Sequence, residues 1–372
     1  MAKLGDIATY INGYAFKPQD WSDEGIPIIR IQDLTGNSYQ ANRYNGEYAS
    51  KYEVNDGDVL ISWSASLGVY IWHGEKAVLN QHIFKVVFDK ERISKDFFVH
   101  QVGLILENAA SDAHGATMKH LTKPVFDALP FYLPPYEKQC EIAEILDKVT
   151  SLISLRKQQL AKLNELVKAR FVEMFGDPVN NPMNYPKSQL GKVCDVRDGT
   201  HDSPEYYDVG YPLVTSKNVT GGKIDLSECN LISEDDYKKI CERSKVDRGD
   251  IIMPMIGTVG KPVVVNIEPM FAIKNVALIK FTPNSLVTNI YIKTLLESDY
   301  FDRAVLDKIR GGTQKFIALG DIRKLEIILP DLKHQQCFSA FVERVEQQKQ
   351  TVQQSLEKLE LMKKALMQEY FG

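Results

Sequence analysis

The sequence predicts an α+β fold: two pseudo-repeated mixed α/β modules joined by two long antiparallel helices that form a coiled coil. Three observations carry this expectation. First, the run from Glu137 to Phe175 places Ile142, Ile145, Leu146, Val149, Leu152, Ile153, Leu160, Leu163, Leu166, Val167, Phe171, Met174 and Phe175 mostly three or four residues apart, which is one apolar stripe on a helix. Second, the run from Gln335 to Phe371 repeats that pattern at a constant offset, Leu160 falling on Leu356, Leu163 on Leu359 and Phe175 on Phe371. Third, the segments preceding the two runs also repeat each other. Each run predicts a helix of about 39 residues, roughly 58 Å long. Globular helices seldom exceed ~25 residues, so each stripe needs a partner, and the other copy supplies it.

The modules follow in order as 1–133 and 177–330, with helical segments at 134–176 and 331–372. Gly25-Ile-Pro-Ile-Ile29 corresponds to Gly210-Tyr-Pro-Leu-Val214, and Ile31-Gln-Asp-Leu-Thr-Gly36 to Ser216-Lys-Asn-Val-Thr-Gly221. Val54-Asn-Asp-Gly-Asp58 corresponds to Val246-Asp-Arg-Gly-Asp250, Gly115-Ala-Thr117 to Gly311-Gly-Thr313, and Leu129-Pro130 to Leu325-Glu326. Strand-like content marks residues 27–31, 58–61, 83–88 and 129–133, with counterparts at 212–215, 250–253, 276–281 and 325–329. The V-x-x-G-D signature suits a tight turn feeding a buried strand, because Gly57 and Gly249 tolerate positive φ. Residues 97–107 and 290–308 predict amphipathic helices. Pro134, Pro135 and Pro330 end the last strand of each module and open the long helices. Pro178 and Pro182 punctuate the linker into the second module.

The chain has 372 residues, of which 44% are hydrophobic and 25% charged, an ordinary globular composition. No apolar run reaches the ~18 residues of a membrane span, and the N-terminus lacks the apolar core of a secretory signal. Five cysteines, never spaced C-x-x-C, predict a reducing cytoplasm without disulfides or zinc. A net charge of −4 is not that of a generic nucleic-acid binder, so any basic groups that meet DNA must be gathered locally or shared with a partner.

Catalytic signatures are absent. Pro134-Pro135-Tyr136 is close to the D/N-P-P-Y/F element of amino-methyltransferases, but Leu133 stands where its acid or amide belongs. Gly257-Thr-Val-Gly260-Lys261 lacks the outer glycine and the Ser or Thr of a phosphate loop. Pro330-Asp331 has no nuclease partner behind it, and the seven histidines show no metal-ligand spacing. No catalytic residue, metal or cofactor is expected.

The Leu-Pro-Pro-Tyr-Glu-Lys-Gln-Cys-Glu-Ile142 opening of the first long helix, its Phe-Val-Glu-Met-Phe175 exit, and the repeated G-x-P and V-x-x-G-D signatures together resemble the specificity (S) subunit of type I restriction–modification systems. The second helix departs locally, opening Pro330-Asp-Leu-Lys-His-Gln335 without a second proline. The resemblance implies that the modules are target-recognition domains, each reading one half of a bipartite, asymmetric double-stranded DNA sequence. It implies that the helix pair spaces them and docks two adenine-N6 methyltransferase (modification) subunits, which restriction subunits can join. It also implies no catalytic centre and no membrane. Inserting or deleting a whole turn within 150–165 or 346–361 is then expected to change the gap between half-sites.

Base readout needs donors and acceptors at groove edges. The polar loops offer Arg30, Gln32, Trp63, Ser64, Ser66, His114, Thr117 and Lys119 in the first copy. In the second they offer His201, Ser203, Ser216, Lys217, Asn218, Thr258, Lys261, Arg310, Thr313, Gln314 and Lys315. Lys119 and Lys315, at matched positions, are expected on phosphates. Trp63 is expected in the core or at its rim rather than as a wedge. Phe171, Phe175, Tyr370 and Phe371 are expected to dock a methyltransferase subunit, with burial against their own module as the competing expectation. The rival function is a coiled-coil scaffold carrying two ligand-binding modules.

Overall fold

A computed structural model describes residues 1–37, 42–112, 122–256, 259–305 and 316–372. The chain divides into two units, one comprising Met1–Lys157 with Gln354–Gly372 and the other Gln158–Gln353. The two long helices run over Tyr136–Phe175 and Leu332–Phe371, 40 residues each, so each contributes one segment to each unit. The first ends where its stripe ends. Gly176 takes φ +74° and its N–H donates to Val172 O at 2.8 Å, the left-handed glycine cap that stops a helix.

In the first unit an antiparallel sheet has the strand order Thr9–Asn12, Ile83–Val87, Val59–Ser62, Gly68–Ile71. A second sheet has the order Arg43–Tyr44, Ile26–Ile29, Ala77–Leu79, Glu53–Val54, and its central pair is parallel. Ala2–Lys3 pairs with Pro130–Phe131, and helix Lys95–Asp112 packs on Gly68–Ile71. Among the described residues the second unit repeats this wiring without a counterpart of the edge strand Glu53–Val54. Its antiparallel sheet has the order Asp195–Asp198, Val276–Lys280, Ile251–Pro254, Val263–Val264. Tyr211–Val214 lies parallel to Ala272–Ile273 and antiparallel to Asn230–Ile232, and Lys187–Gln189 pairs with Glu326–Ile328. The sequence repeat is thus a repeat of topology. Among the described residues, the expected single helix over 290–308 is instead two, Asn289–Leu296 and Asp299–Val305. Ser298 breaks it, its hydroxyl donating to Leu295 O at 2.6 Å while its carbonyl accepts from Phe301 N at 3.0 Å to start the next helix.

The V-x-x-G-D signature does what its residues allow. Gly57 and Gly249 take φ +81° and +94°. The carboxylate that follows closes the turn, Asp58 accepting from Asn55 N at 2.9 Å and Asp250 from Asp247 N at 2.8 Å. Each also pairs with a lysine of the central strand, Lys85 at 2.8 Å and Lys280 at 2.6 Å. Burial opposes the charge on Lys280, but its bonds to Asp247 and Asp250 outweigh burial and raise its pKa. A turn, a buried strand and an ion pair are therefore fixed by one short motif.

Each unit closes its core with both helix segments. In the first, Ile142, Ala143 and Leu146 share a core with Phe97, Phe98 and Phe131, and Leu366, Met367, Tyr370 and Phe371 pack against it. The segments run in opposite directions, for Ile142 and Leu146 lie in the core that Tyr370 and Phe371 cover, while further along Lys157 meets Glu360 at 3.0 Å and Arg156 Nε donates to Ser355 Oγ at 3.3 Å. In the second, Phe338 sits 5.6 Å from the ring of Phe171 and 5.4 Å from Phe175, and Arg170 lies over the ring of Phe341. This corrects one expectation. Phe171 and Phe175 are 2% and 0% exposed, Phe171 stacked on Tyr291 and Phe175 edge-on to it in the core of their own unit, so they present no docking surface. Tyr370 and Phe371 are half-buried, Phe371 lying edge-on to Phe97 at 5.4 Å. Among the described residues no helix is long and apolar enough to cross a membrane.

Candidate nucleic-acid interface

In both units the parallel strand pair and the antiparallel sheet meet at one polar corner. The chain leaves Thr9–Asn12 through Gly13 and Asp195–Asp198 through Gly199. These glycines donate to Ile83 O and Val276 O at 3.0 and 3.1 Å. A Cβ at either would collide with the carbonyl oxygen of Asn80 or Ile273, which is why the approach needs glycine. Tyr14 and Thr200 then bridge Asn80 and Lys274 in parallel. On the facing side His82 and Asn275 take φ +73° and +54° immediately before strands Ile83–Val87 and Val276–Lys280. His and Asn are among the few residue types that tolerate this region.

The backbone frame is shared, but the side chains on it are not. In the first unit Trp63 stacks on Phe84 at 5.6 Å, meets His82 edge-on at 5.0 Å, and donates its indole N–H to Asn12 Oδ1 at 3.1 Å. Trp63 is thus a half-buried rim aromatic held by the sheet, as the sequence suggests. In the second unit Asp198, 7% exposed, ends the strand that matches the one closed by Asn12. His201 donates from Nδ1 to Asn275 Oδ1 at 2.8 Å and from Nε2 to Asp198 Oδ2 at 2.9 Å, and Arg243 Nη2 closes on Asp198 Oδ1. Lys274 Nζ donates to Ser203 Oγ at 2.6 Å. One corner is aromatic and neutral, the other charged.

The remaining candidates are dispersed. The Arg30 side chain is 14% exposed and faces Asp33 at 3.5 Å. Gln32 and Ser216 are half-buried, while Ser66, Lys217 and Lys261 are exposed. Ser64 is 5% exposed and its carbonyl accepts from Ser62 Oγ at 3.3 Å, so it belongs to the hairpin and not to a reading surface. Asn218 is likewise committed, 7% exposed, its Oδ1 accepting from Thr215 N and Thr215 Oγ1 at 2.9 Å each. His114, Thr117, Lys119, Thr258, Arg310, Thr313, Gln314 and Lys315 lie outside the described residues. Of the candidates, the fold gathers His201 and Ser203 at one corner. Sequence reasoning passed over Asp198, Arg243, Lys274 and Asn275. The available signal was that Asn12 and Asp198 each precede the glycine that leaves the first strand.

Both ring nitrogens of His201 face acceptors, which suits the imidazolium. Its pKa is raised, first by the bond to Asn275 and then by that to Asp198. The sign follows from linkage: the stabilisation is fully present below the unfolded pKa of about 6.5 and is lost as pH rises through the higher folded value. The second unit is expected to melt at slightly lower temperature as pH is raised from about 6.5 toward 8, shallowly because the side chain is 61% exposed and solvent screens it. Melting curves across this range, with His201→Ala removing the slope, check this. A slope unchanged in the variant would refute the assignment.

The chain matches the family described as type I restriction modification DNA specificity domain over residues 1–165 and 182–361. It is 23% identical over 378 residues to the EcoBI type I restriction enzyme specificity subunit of Escherichia coli, covering 92% of this chain and 78% of that protein. It is 24% identical over 391 residues to the MjaVIII specificity subunit of Methanocaldococcus jannaschii, covering 99% and 90%. The fold is similar to the crystal structure of a type I restriction-modification S subunit from M. genitalium, with a TM-score of 0.58 and 13% identity over 100% of this chain and 95% of that one. A structure from work on complex assembly and conformational transition of the type I system gives a TM-score of 0.57 at 16% identity, covering 100% and 96%.

Proposed function

We infer the function from the family to which this chain belongs, the type I restriction–modification DNA specificity proteins: it is the DNA-specificity subunit of such a system. Residues 1–133 and 177–330 are its two target-recognition domains, and 134–176 and 331–372 its spacer helices, paired as one antiparallel coiled coil. Each domain reads one half of a bipartite, asymmetric site in double-stranded DNA. The protein does not perform chemistry. It docks two adenine-N6 methyltransferase subunits, which restriction subunits join, and it works in the cytoplasm. The supporting observation is the repeated corner: one backbone frame carries Trp63, His82 and Asn12 in the first unit and His201, Asn275, Asp198 and Arg243 in the second. Equivalent frames with unlike donors and acceptors suit unlike half-sites. The mild negative charge is accommodated because partner subunits share the phosphate contacts.

Mapping N6-methyladenine in DNA exposed to the assembled complex is expected to give two different half-sites separated by one fixed gap. Inserting about seven residues, one heptad, into both 150–165 and 346–361 keeps the apolar faces in register. It adds roughly 10 Å at ~1.5 Å per residue, about three base pairs at ~3.4 Å each. The gap should lengthen by that amount with both half-sites unchanged. A single uninterrupted motif in the starting complex, or an unaltered gap after insertion, would overturn this reading.

A further inference from the structure

Two buried glutamines occupy matched places where each module joins its long helix. Gln139 is 1% exposed and Gln335 is 0% exposed, and each lies one turn into its helix. Gln139 Oε1 accepts from Ser94 N at 2.9 Å, and its Nε2 donates to Pro134 O at 2.9 Å. Gln335 Oε1 accepts from Thr288 N at 2.9 Å, and its Nε2 donates to Pro330 O at 2.8 Å and Leu286 O at 3.1 Å. Thr288 caps helix Asn289–Leu296, and Ser94 immediately precedes helix Lys95–Asp112. One amide therefore ties together three elements: the strand exit before the long helix, the start of a module helix, and the long helix itself.

Beside these bonds the joints are mostly apolar, with His100 Nε2 on Asp147 Oδ1 at 2.7 Å and Thr288 Oγ1 on Ser339 Oγ at 3.2 Å as further polar ties. Apolar contacts such as those of Ile142, Leu146 and Phe338 resist separation but tolerate small rotation, because dispersion and burial are not directional. A buried amide whose donor and acceptor ends are both engaged is directional, and any pivot of the module leaves one of its groups unsatisfied. A reading surface roughly 20 Å from the pivot, the span of a small module, moves by about 3.5 Å for each 10° or so of rotation. That displacement is close to the ~3.4 Å step between base pairs.

We propose that Gln139 and Gln335 are positioning residues that lock each recognition module at one angle on its long helix, and that this lock sets how strictly the complex enforces the gap between half-sites. The proposal rests on the bipartite reading given above. The side chains touch no DNA. They act through the module they hold.

The test uses the assembled complex with full-length Gln139→Asn, Gln335→Asn and the two combined. Asparagine keeps a buried amide but is one methylene too short to reach both partners, and Gln139→Met and Gln335→Met supply an unbranched apolar replacement should an asparagine variant fail to fold. Each complex methylates a library holding the wild-type half-sites at gaps from three base pairs shorter to three longer. The expected result is that gaps one base pair away, methylated at least tenfold below the native gap by wild type, rise to within about threefold of it in the variants while half-site bases stay the same. A merely structural role would lower methylation at every gap alike, and that outcome would overturn the proposal, as would an unchanged gap profile in a folded variant. If the wild-type complex itself showed no fixed gap, the bipartite reading would fail instead, and the two failures are distinguishable in the wild-type arm.

Discussion

Replacing Phe338 with alanine is expected to lower the stability of the second unit by about 3–5 kcal/mol. The ring is fully buried, at 0% exposure, and meets Phe171 at 5.6 Å and Phe175 at 5.4 Å, both edge-on. Those two rings in turn pack on Tyr291 at 5.6 and 5.1 Å. Truncation removes the transfer energy of the ring and leaves a cavity between two helix segments and a module, three elements that cannot all close on it. In a unit of nearly two hundred residues the loss corresponds to a fall in melting temperature of roughly 6–20 °C. Differential scanning calorimetry measures it, and hydrogen exchange locates it, with protection lost along Leu332–Val345 and Asn289–Leu296. A shift below about 2 °C would show that this aromatic cluster does not hold the module to the helices.

The second large effect concerns assembly. With Phe171 and Phe175 buried, the first helix keeps Leu166 and Val172 exposed at 45% and 55% in the second unit and, in the first, Ile145, Leu152 and Leu155, exposed at 40%, 42% and 55%. Spacings of seven and three put them on one side of the helix, beside the inward face of Ile142, Leu146 and Val149. Under the proposed function this strip is where a methyltransferase subunit seats. Leu152→Asp combined with Leu155→Asp would bury two unpaired carboxylates in that interface and weaken association at least a hundredfold, about 2.7 kcal/mol. The fold itself should be little affected, because both side chains already face solvent. Pull-down or sedimentation with the methyltransferase subunit reads the result. Undiminished complex formation at micromolar concentration would place docking elsewhere.

The long helices are legible in the sequence because their stripe runs for some ten turns, and no other element yields so sustained a 3.6-residue period. The V-x-x-G-D turns are legible because Gly57 and Gly249 have few alternatives to a turn. The strand Asp195–Asp198 is not, since Asp-Val-Arg-Asp carries a single apolar residue and is ordered by pairing with Val276–Lys280 across the chain. The break at Ser298 is hidden for the opposite reason: the apolar pattern continues on both sides of it, and a local hydroxyl–carbonyl bond decides. The corner residues are least legible. Asp198, Arg243 and Asn275 are far apart in sequence and become neighbours when Asp195–Asp198 pairs antiparallel with Val276–Lys280 and Arg197 holds the Arg243 carbonyl, so no spacing in the chain announces them. Phe171 and Phe175 were ambiguous because an aromatic at a helix end looks the same whether it meets its own module or a partner.

The composite cores carry a consequence for biosynthesis. The core of the first unit includes Leu366, Met367, Tyr370 and Phe371, which leave the ribosome more than two hundred residues after the strands they cover. That module must wait, part of its apolar floor bare, while the second is made, and contacts of such long sequence separation form slowly. Removing the apolar side chains of Leu366, Met367, Tyr370 and Phe371 should therefore injure the module of residues 1–133, and chaperone dependence should be greater for that module than for the one translated after it.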